Sequence, residues 1–384
     1  NNVTITEGEG NIGNKIDQEA TAAVVAKGVT TLAAQGDIDL RNLSNDFQDK
    51  VHATATAGLG DGNITLGDAN ELELGQVTAD AAVKAEAVDI RVDEGAAVLA
   101  KGTDFADGEK AVDLYASRNV IVENGAITAE NGDIVAKAEH SVDVRGEVGP
   151  TALLAEQGDV KLEAGQRVSV VEGATVEARQ DAGQTKGGNV ELVAKSVTVP
   201  GGSAAGGIVV DDGAKVTAEK TLSLTADRGG VEIADARGEG TELRAADITV
   251  EAKDDGILVR DAALVEAGNT LKMTTGTAAD GLGSIVVQDD AVVRAGGAME
   301  LTAGQDESSV GHVQLKGNAT VDALSTVKMT AERGKIVEAD TAKILATDDV
   351  TFKARDVDAK SMLNDFARGG DANLAKVNAE ATAG

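Results

Sequence analysis

The sequence predicts an all-β chain wound as a right-handed parallel β-helix, a solenoid of three short strands per coil and roughly 13 coils. Three observations carry that expectation. Short alternating segments follow one another in a fixed order of three. The trio recurs about every 26 residues, a solenoid period. The chain also lacks aromatic bulk, with no Trp, one Tyr (Tyr115) and four Phe against 46 Gly in 384 residues. A globular core of this size leans on aromatic side chains, whereas a narrow interior of constant width suits Val, Ile, Leu and Ala.

The trio is plainest between Thr221 and Met329. TLSLTA (221–226), GGVEIAD (229–235) and GTELRAA (240–246) are followed by DITVEA (247–252), DGILVRD (255–261) and AALVEAG (262–268). Leu222, Ile248, Leu271, Met299 and Val327 open successive first strands, and Val231, Ile257, Ile285 and Val313 open successive second strands. Third strands end in an aliphatic residue, a spacer and an alanine: Leu243/Ala245, Val265/Ala267, Val293/Ala295 and Val321/Ala323. One such coil cannot bury its apolar side alone. Stacked on its equivalent about 4.8 Å away, it buries that side and pairs its main chain. A recurring inward Ala marks a corner that stays narrow from coil to coil.

Residues 1–35 read as an irregular start or a first coil, and a continuous β-helix is expected over 36–356. GDIDL (36–40), GNITL (62–66), ELEL (71–74), QVTA (76–79), AVKAEA (82–87), VDIRV (88–92) and AAVLA (96–100) fill its early coils. After a loop near Thr103, AVDLYA (111–116) opens three regular coils that end at ATVEA (174–178). Asp37, Asn63, Asp133, Asp159 and Asn189 each follow a Gly and precede a first strand, as expected of side chains that bond their own turn backbone.

A protruding insertion is expected at 181–207, where successive third strands stand 40 residues apart, from Val176 to Val216. Its Lys186–Gly207 segment is the expected contact surface, since loops carry function on a solenoid. Residues 357–384 read as an irregular end, with a short helix over 359–367 and the start of a further long-period repeat. NDF (45–47) returns as NDF (364–366), and VHATATAG (51–58) returns as VNAEATAG (377–384).

The formal net charge of −30 argues against nucleic acid and anionic membrane as partners, because both need Lys and Arg to displace counterions. The charge also keeps an elongated, strand-rich particle soluble. No apolar run approaches the ~18–20 residues of a membrane span, so no membrane insertion is expected. Without Cys there is neither a disulfide framework nor a zinc–thiolate site. Starting at Asn1 without Met, the chain reads as a mature product or a piece of something longer.

GDVKLEAGQRVSVVEGATVEA (158–178) resembles the repeat idiom of large exported adhesins related to filamentous haemagglutinin, which bacterial two-partner systems secrete. NDFQDKV (45–51) followed by GNITLGDANELELG (62–75) is similar to a module of very large members of that class. The resemblance implies a secreted or cell-surface β-helix acting as stalk and adhesive surface. It also implies further repeats of the same protein at both ends, and a host-cell, neighbouring-cell or matrix surface as partner.

Parallel β-helices also host polysaccharide lyases and hydrolases, which makes the paired carboxylates candidate catalytic groups. Asp211–Asp212 and Asp289–Asp290 both follow second strands, but three coils separate them by roughly 14 Å. Glycosidase carboxylates stand about 5–9.5 Å apart. Asp254–Asp255 and Asp348–Asp349 precede strands in other turns, and His52, His140 and His312 share no ligand spacing. No catalytic, cofactor-binding or metal-binding residue is therefore expected, nor any cofactor. The expected function is a non-catalytic, structural and adhesive section of an extracellular bacterial surface protein. A polysaccharide-active enzyme and the stalk of a toxin-delivery exoprotein are the alternatives.

Overall fold

The computed structural model describes residues 2–6, 15–58, 60–102, 109–146, 151–180, 187–195, 206–276, 283–304, 310–359 and 377–381. Its described residues are strands and corners without a helix, and the strands stack in parallel as a β-solenoid of about 12 turns. Close to the roughly 13 coils read from the repeat, this count follows from the same trio. Contacts divide the chain into two compact units, Asn1–Val190 and Glu191–Gly384.

In the first unit the ladder begins with Val3–Thr6, which pairs with Thr30–Ala34. Ile16–Asp17 pairs with Ile38–Leu40, and Val25–Ala26 with Asp46–Phe47, so residues before Gly36 already contribute all three strands of a coil. Third strands then stack through Ala55, Ala79, Ala100, Ala129, Ala155 and Ala178, each facing its neighbour in register. All six are fully buried. The alanines keep this register although the loops between them differ in length.

In the second unit the register is the one the sequence pattern implies. Leu222, Ile248, Leu271, Met299 and Val327 are consecutive partners along the first-strand ladder. Val231, Ile257, Ile285 and Val313 are partners along the second. Further along the first strands, Leu224, Val250, Met273, Leu301, Met329 and Phe352 form a second buried column. Each fully buried aliphatic side chain contributes about 2 kcal/mol relative to exposure.

The strand Val350–Ala359 carries the ladder past Phe352, and Val377–Ala381 pairs with Val350–Ala354. Val377–Ala381 therefore stands in the first-strand ladder, whereas its sequence echo Val51–Ala55 stands in the third. Ala359, the first residue of the expected helix over 359–367, ends a strand, and the rest of that helix, the second NDF and most of the expected insertion (181–186 and 196–205) lie outside the described residues.

Candidate functional site

The acidic residues after second strands sit in a corner whose backbone explains them. Asp212, Asp261, Asp289, Asp290 and Asp340 have φ between 52° and 65°, as do Asn124 and Glu172 in the first unit. Asp and Asn tolerate this left-handed region better than other non-glycine residues, because their short polar side chains bond locally. Asp211 Oδ1 accepts the N–H of Asp212 at 2.7 Å and that of Ala236, one coil on, at 3.1 Å. Asp212 faces Arg237 at 3.4 Å, and the Asp289 carboxylate accepts Gln288 Nε2 at 2.7 Å. Asp255 accepts the N–H of Gly256 at 2.7 Å, and Asp348 accepts the Ser325 hydroxyl at 3.0 Å. The paired acids thus shape and join corners. Among the described residues no group of three or more His, Asp or Glu is placed to hold a metal ion.

The corner before the first strand corrects an expectation. The side chains of Asp37, Asp133 and Asp159 bond across to the next coil. Asp37 Oδ1 accepts the N–H of Asn63 at 2.8 Å, and Asn63 Oδ1 accepts that of Ala82 at 3.2 Å. Asp133 Oδ1 accepts the N–H of Asp159 at 2.9 Å, and Asp159 Oδ1 that of Asn189 at 2.9 Å. Each carboxylate or amide captures the main chain of the next coil. A parallel stack brings equivalent corners within reach of a short side chain, and that geometry is stronger here than the local Asx turn.

Histidine serves the same purpose twice. His52 Nδ1 accepts the N–H of Gln76 at 2.9 Å, and His312 Nδ1 accepts that of Lys335 at 2.9 Å. Both rings are half-buried. A side chain at Gly75 would place its Cβ 2.5 Å from the His52 ring, so only glycine fits opposite it. Sequence spacing showed only that the histidines share no ligand pattern, since the facing N–H groups come from residues one coil away.

The densest polar arrangement surrounds NDF. Asn45 is fully buried, and its Oδ1 accepts Gln18 Nε2 at 2.6 Å and the Val24 N–H at 2.9 Å. Its Nδ2 donates to the carbonyls of Leu40 at 3.0 Å and Gly67 at 3.1 Å, and to Gln18 Oε1 at 3.1 Å. Its carbonyl accepts the Ala69 N–H at 2.7 Å. One amide therefore joins three successive coils. Beside it Asp68, also buried, accepts the N–H groups of Phe47 and Asn70, both at 2.7 Å. Burial pushes the Asp68 carboxyl up, against these two bonds. The bonds explain why NDF and DAN travel together: Asp68 supports the strand that carries Phe47, and Phe47 plugs the core at 2 % exposure.

This cluster lies largely within a part of the chain that matches a family model. Residues 1–54 and 61–128 match a family described as repeats of unknown function (DUF5649). No curated protein and no solved structure matches the chain. The matched segments include both halves of the NDF–DAN anchor and two of the stacked corner alanines, Ala79 and Ala100. The name assigns no activity, so the geometry must supply the function.

Proposed function

We propose that the chain is a non-catalytic structural and adhesive section of a long extracellular bacterial surface protein, acting as stalk and contact surface. The observation that carries this reading is where the polar side chains are used. In the second unit Arg244 bonds Glu266 at 2.6 Å, Glu266 bonds Arg294 at 3.2 Å, and Arg294 meets Asp322 at 3.4 Å, each one coil further on. Lys328 likewise reaches back to Glu300 at 2.7 Å. In the first unit Asp143 takes Arg167 at 3.0 Å, and Glu163 takes Lys137 at 3.4 Å. Charged groups that elsewhere would converge on a substrate are here engaged with the neighbouring coil.

The resemblance of residues 45–75 and 158–178 to haemagglutinin-type exported repeats supports the bacterial surface setting. The partner proposed is a protein or glycan of a host cell, a neighbouring cell or a matrix, with further repeats continuing the stack. The test is adhesion of the purified chain, immobilised on beads, to cells and matrix proteins, alongside release of unsaturated or reducing ends from acidic polysaccharides. Saturable adhesion without cleavage is expected. Cleavage that disappears in Asp211→Asn or Asp289→Asn would overturn the proposal in favour of a polysaccharide-active enzyme. Absence of both adhesion and cleavage would leave reach alone, the stalk of a delivery protein.

A further inference from the structure

The His312 corner belongs to a column that runs through four coils at the entry to the second strand. Ser284 Oγ accepts the His312 N–H at 3.1 Å, His312 Nδ1 accepts the Lys335 N–H, and Lys335 Nζ pairs with Asp356 at 3.1 Å. Just beyond it Val313 faces Ile336 in the ladder. The corner has no slack: a Cβ on Gly334 would stand 1.8 Å from the Gly311 carbonyl oxygen and 3.0 Å from His312 Nδ1. Unlike Ser284, or the Asp and Asn acceptors of other corners, the imidazole loses its acceptor on gaining a proton, because both ring nitrogens then donate.

We propose that His312 is an acid-labile joint, whose protonation releases the Lys335 N–H and loosens the Ile336–Glu338 end of the strand Val327–Glu338 from Val313–Leu315. The proton comes from solvent, and no covalent bond changes. The preceding coil presents the uncharged Ser284 to this corner, and the following coil presents Lys335, with Asp356 beyond its ammonium. A protonated ring therefore faces an N–H and stands near a cation. Burial, with the Lys335 charge, holds the imidazole below its ordinary range, so the joint is closed at neutral pH and opens only on acidification.

Hydrogen exchange of the full chain tests this. Protection of the 333–338 segment, corrected for intrinsic rate, is compared at about pH 7.5 and about pH 5, with 221–252 as the internal control. In the wild type, protection of 333–338 should fall about tenfold or more while the control segment holds. In His312→Gln, whose amide oxygen accepts at either pH, it should hold in both segments. Wild-type protection that survives acid, or an equal fall in His312→Gln, would overturn the proposal. Should that variant fail to fold, the wild-type ring can be titrated by NMR. A Lys335 amide resonance that moves with the ring supports the joint, and one that stays fixed refutes it.

Discussion

The coils around Asn45 and those between Thr221 and Met329 solve one problem differently. Both must stop a strand from slipping along its neighbour, a slip that would turn every inward side chain outward. Between Thr221 and Met329 the interior is a stack of like residues, and like on like tolerates slippage by two. The outer rows of Arg244, Glu266, Arg294 and Asp322 add alternating charge, so a shifted register would break ion pairs. Around Asn45 the register is held from inside. Gln18, Val24, Leu40 and Gly67 all converge on a single amide, and no shifted arrangement satisfies them together. A buried polar group with every partner in place specifies one alignment, whereas an exposed charge row only favours it.

The sharpest break is Asn45→Ala set against Leu301→Ala. Removing the Asn45 amide leaves two carbonyls and one N–H buried without that partner, at about 1–3 kcal/mol each, so a loss of about 4 kcal/mol is expected. Leu301→Ala, which leaves a cavity in a column of similar residues that can close in, should cost about 3 kcal/mol. Urea unfolding followed separately for each unit measures both. If Asn45→Ala proves the milder of the two, the polar anchor does not set the register.

Acid sharpens the contrast next. Burial alone would raise the Asp89 carboxyl, but Arg118, with Nε at 2.9 Å, and Asn119, with its N–H at 3.1 Å, together hold it below the usual carboxylate range. Its contribution is then present above the unfolded value near about pH 4 and disappears as pH falls through the folded one. Asp68 runs the other way. Its raised carboxyl contributes below the unfolded value and loses that contribution as pH rises through the folded one. Asp89→Asn should therefore flatten the acid limb of the first unit's stability curve, and Asp68→Asn should leave that limb in place. A curve unchanged by Asp89→Asn counts against the pair. The smallest effect belongs to Lys328→Ala. Its side chain and that of Glu300 are 54 % and 37 % exposed, so breaking this cross-coil pair should cost at most about 1 kcal/mol, and less at high salt. A salt-independent loss would mean that packing of the lysine stem dominates.

The alternation of Leu222, Ile248, Leu271, Met299 and Val327 made the ladder legible, because period-two patterning and an invariant corner alanine are properties of single strands. The joints were not legible. Side-chain-to-N–H bonds between corners span 19 to 30 residues, a spread set by loops rather than by strands. Sequence offers Asp37 a nearby turn as the obvious partner, and only the stack shows Asn63 to be nearer in effect. The left-handed corners fall between these cases. Asp289–Asp290 stood out as a pair, but their φ values, not their charge, explain why Asp is there.

The captured N–H groups run in both directions along the stack. At Asp37, Asn63, Asp89, Asp133, Asp159, Asp247, Ser284 and His312 the acceptor belongs to the earlier coil and the donor to the later one. At Asn45, Asp68, Asp80, Thr241 and Asp340 the later coil supplies the acceptor and the earlier one the N–H. A finished coil therefore offers both donors and acceptors to the neighbour on either side, so winding can be extended from either end.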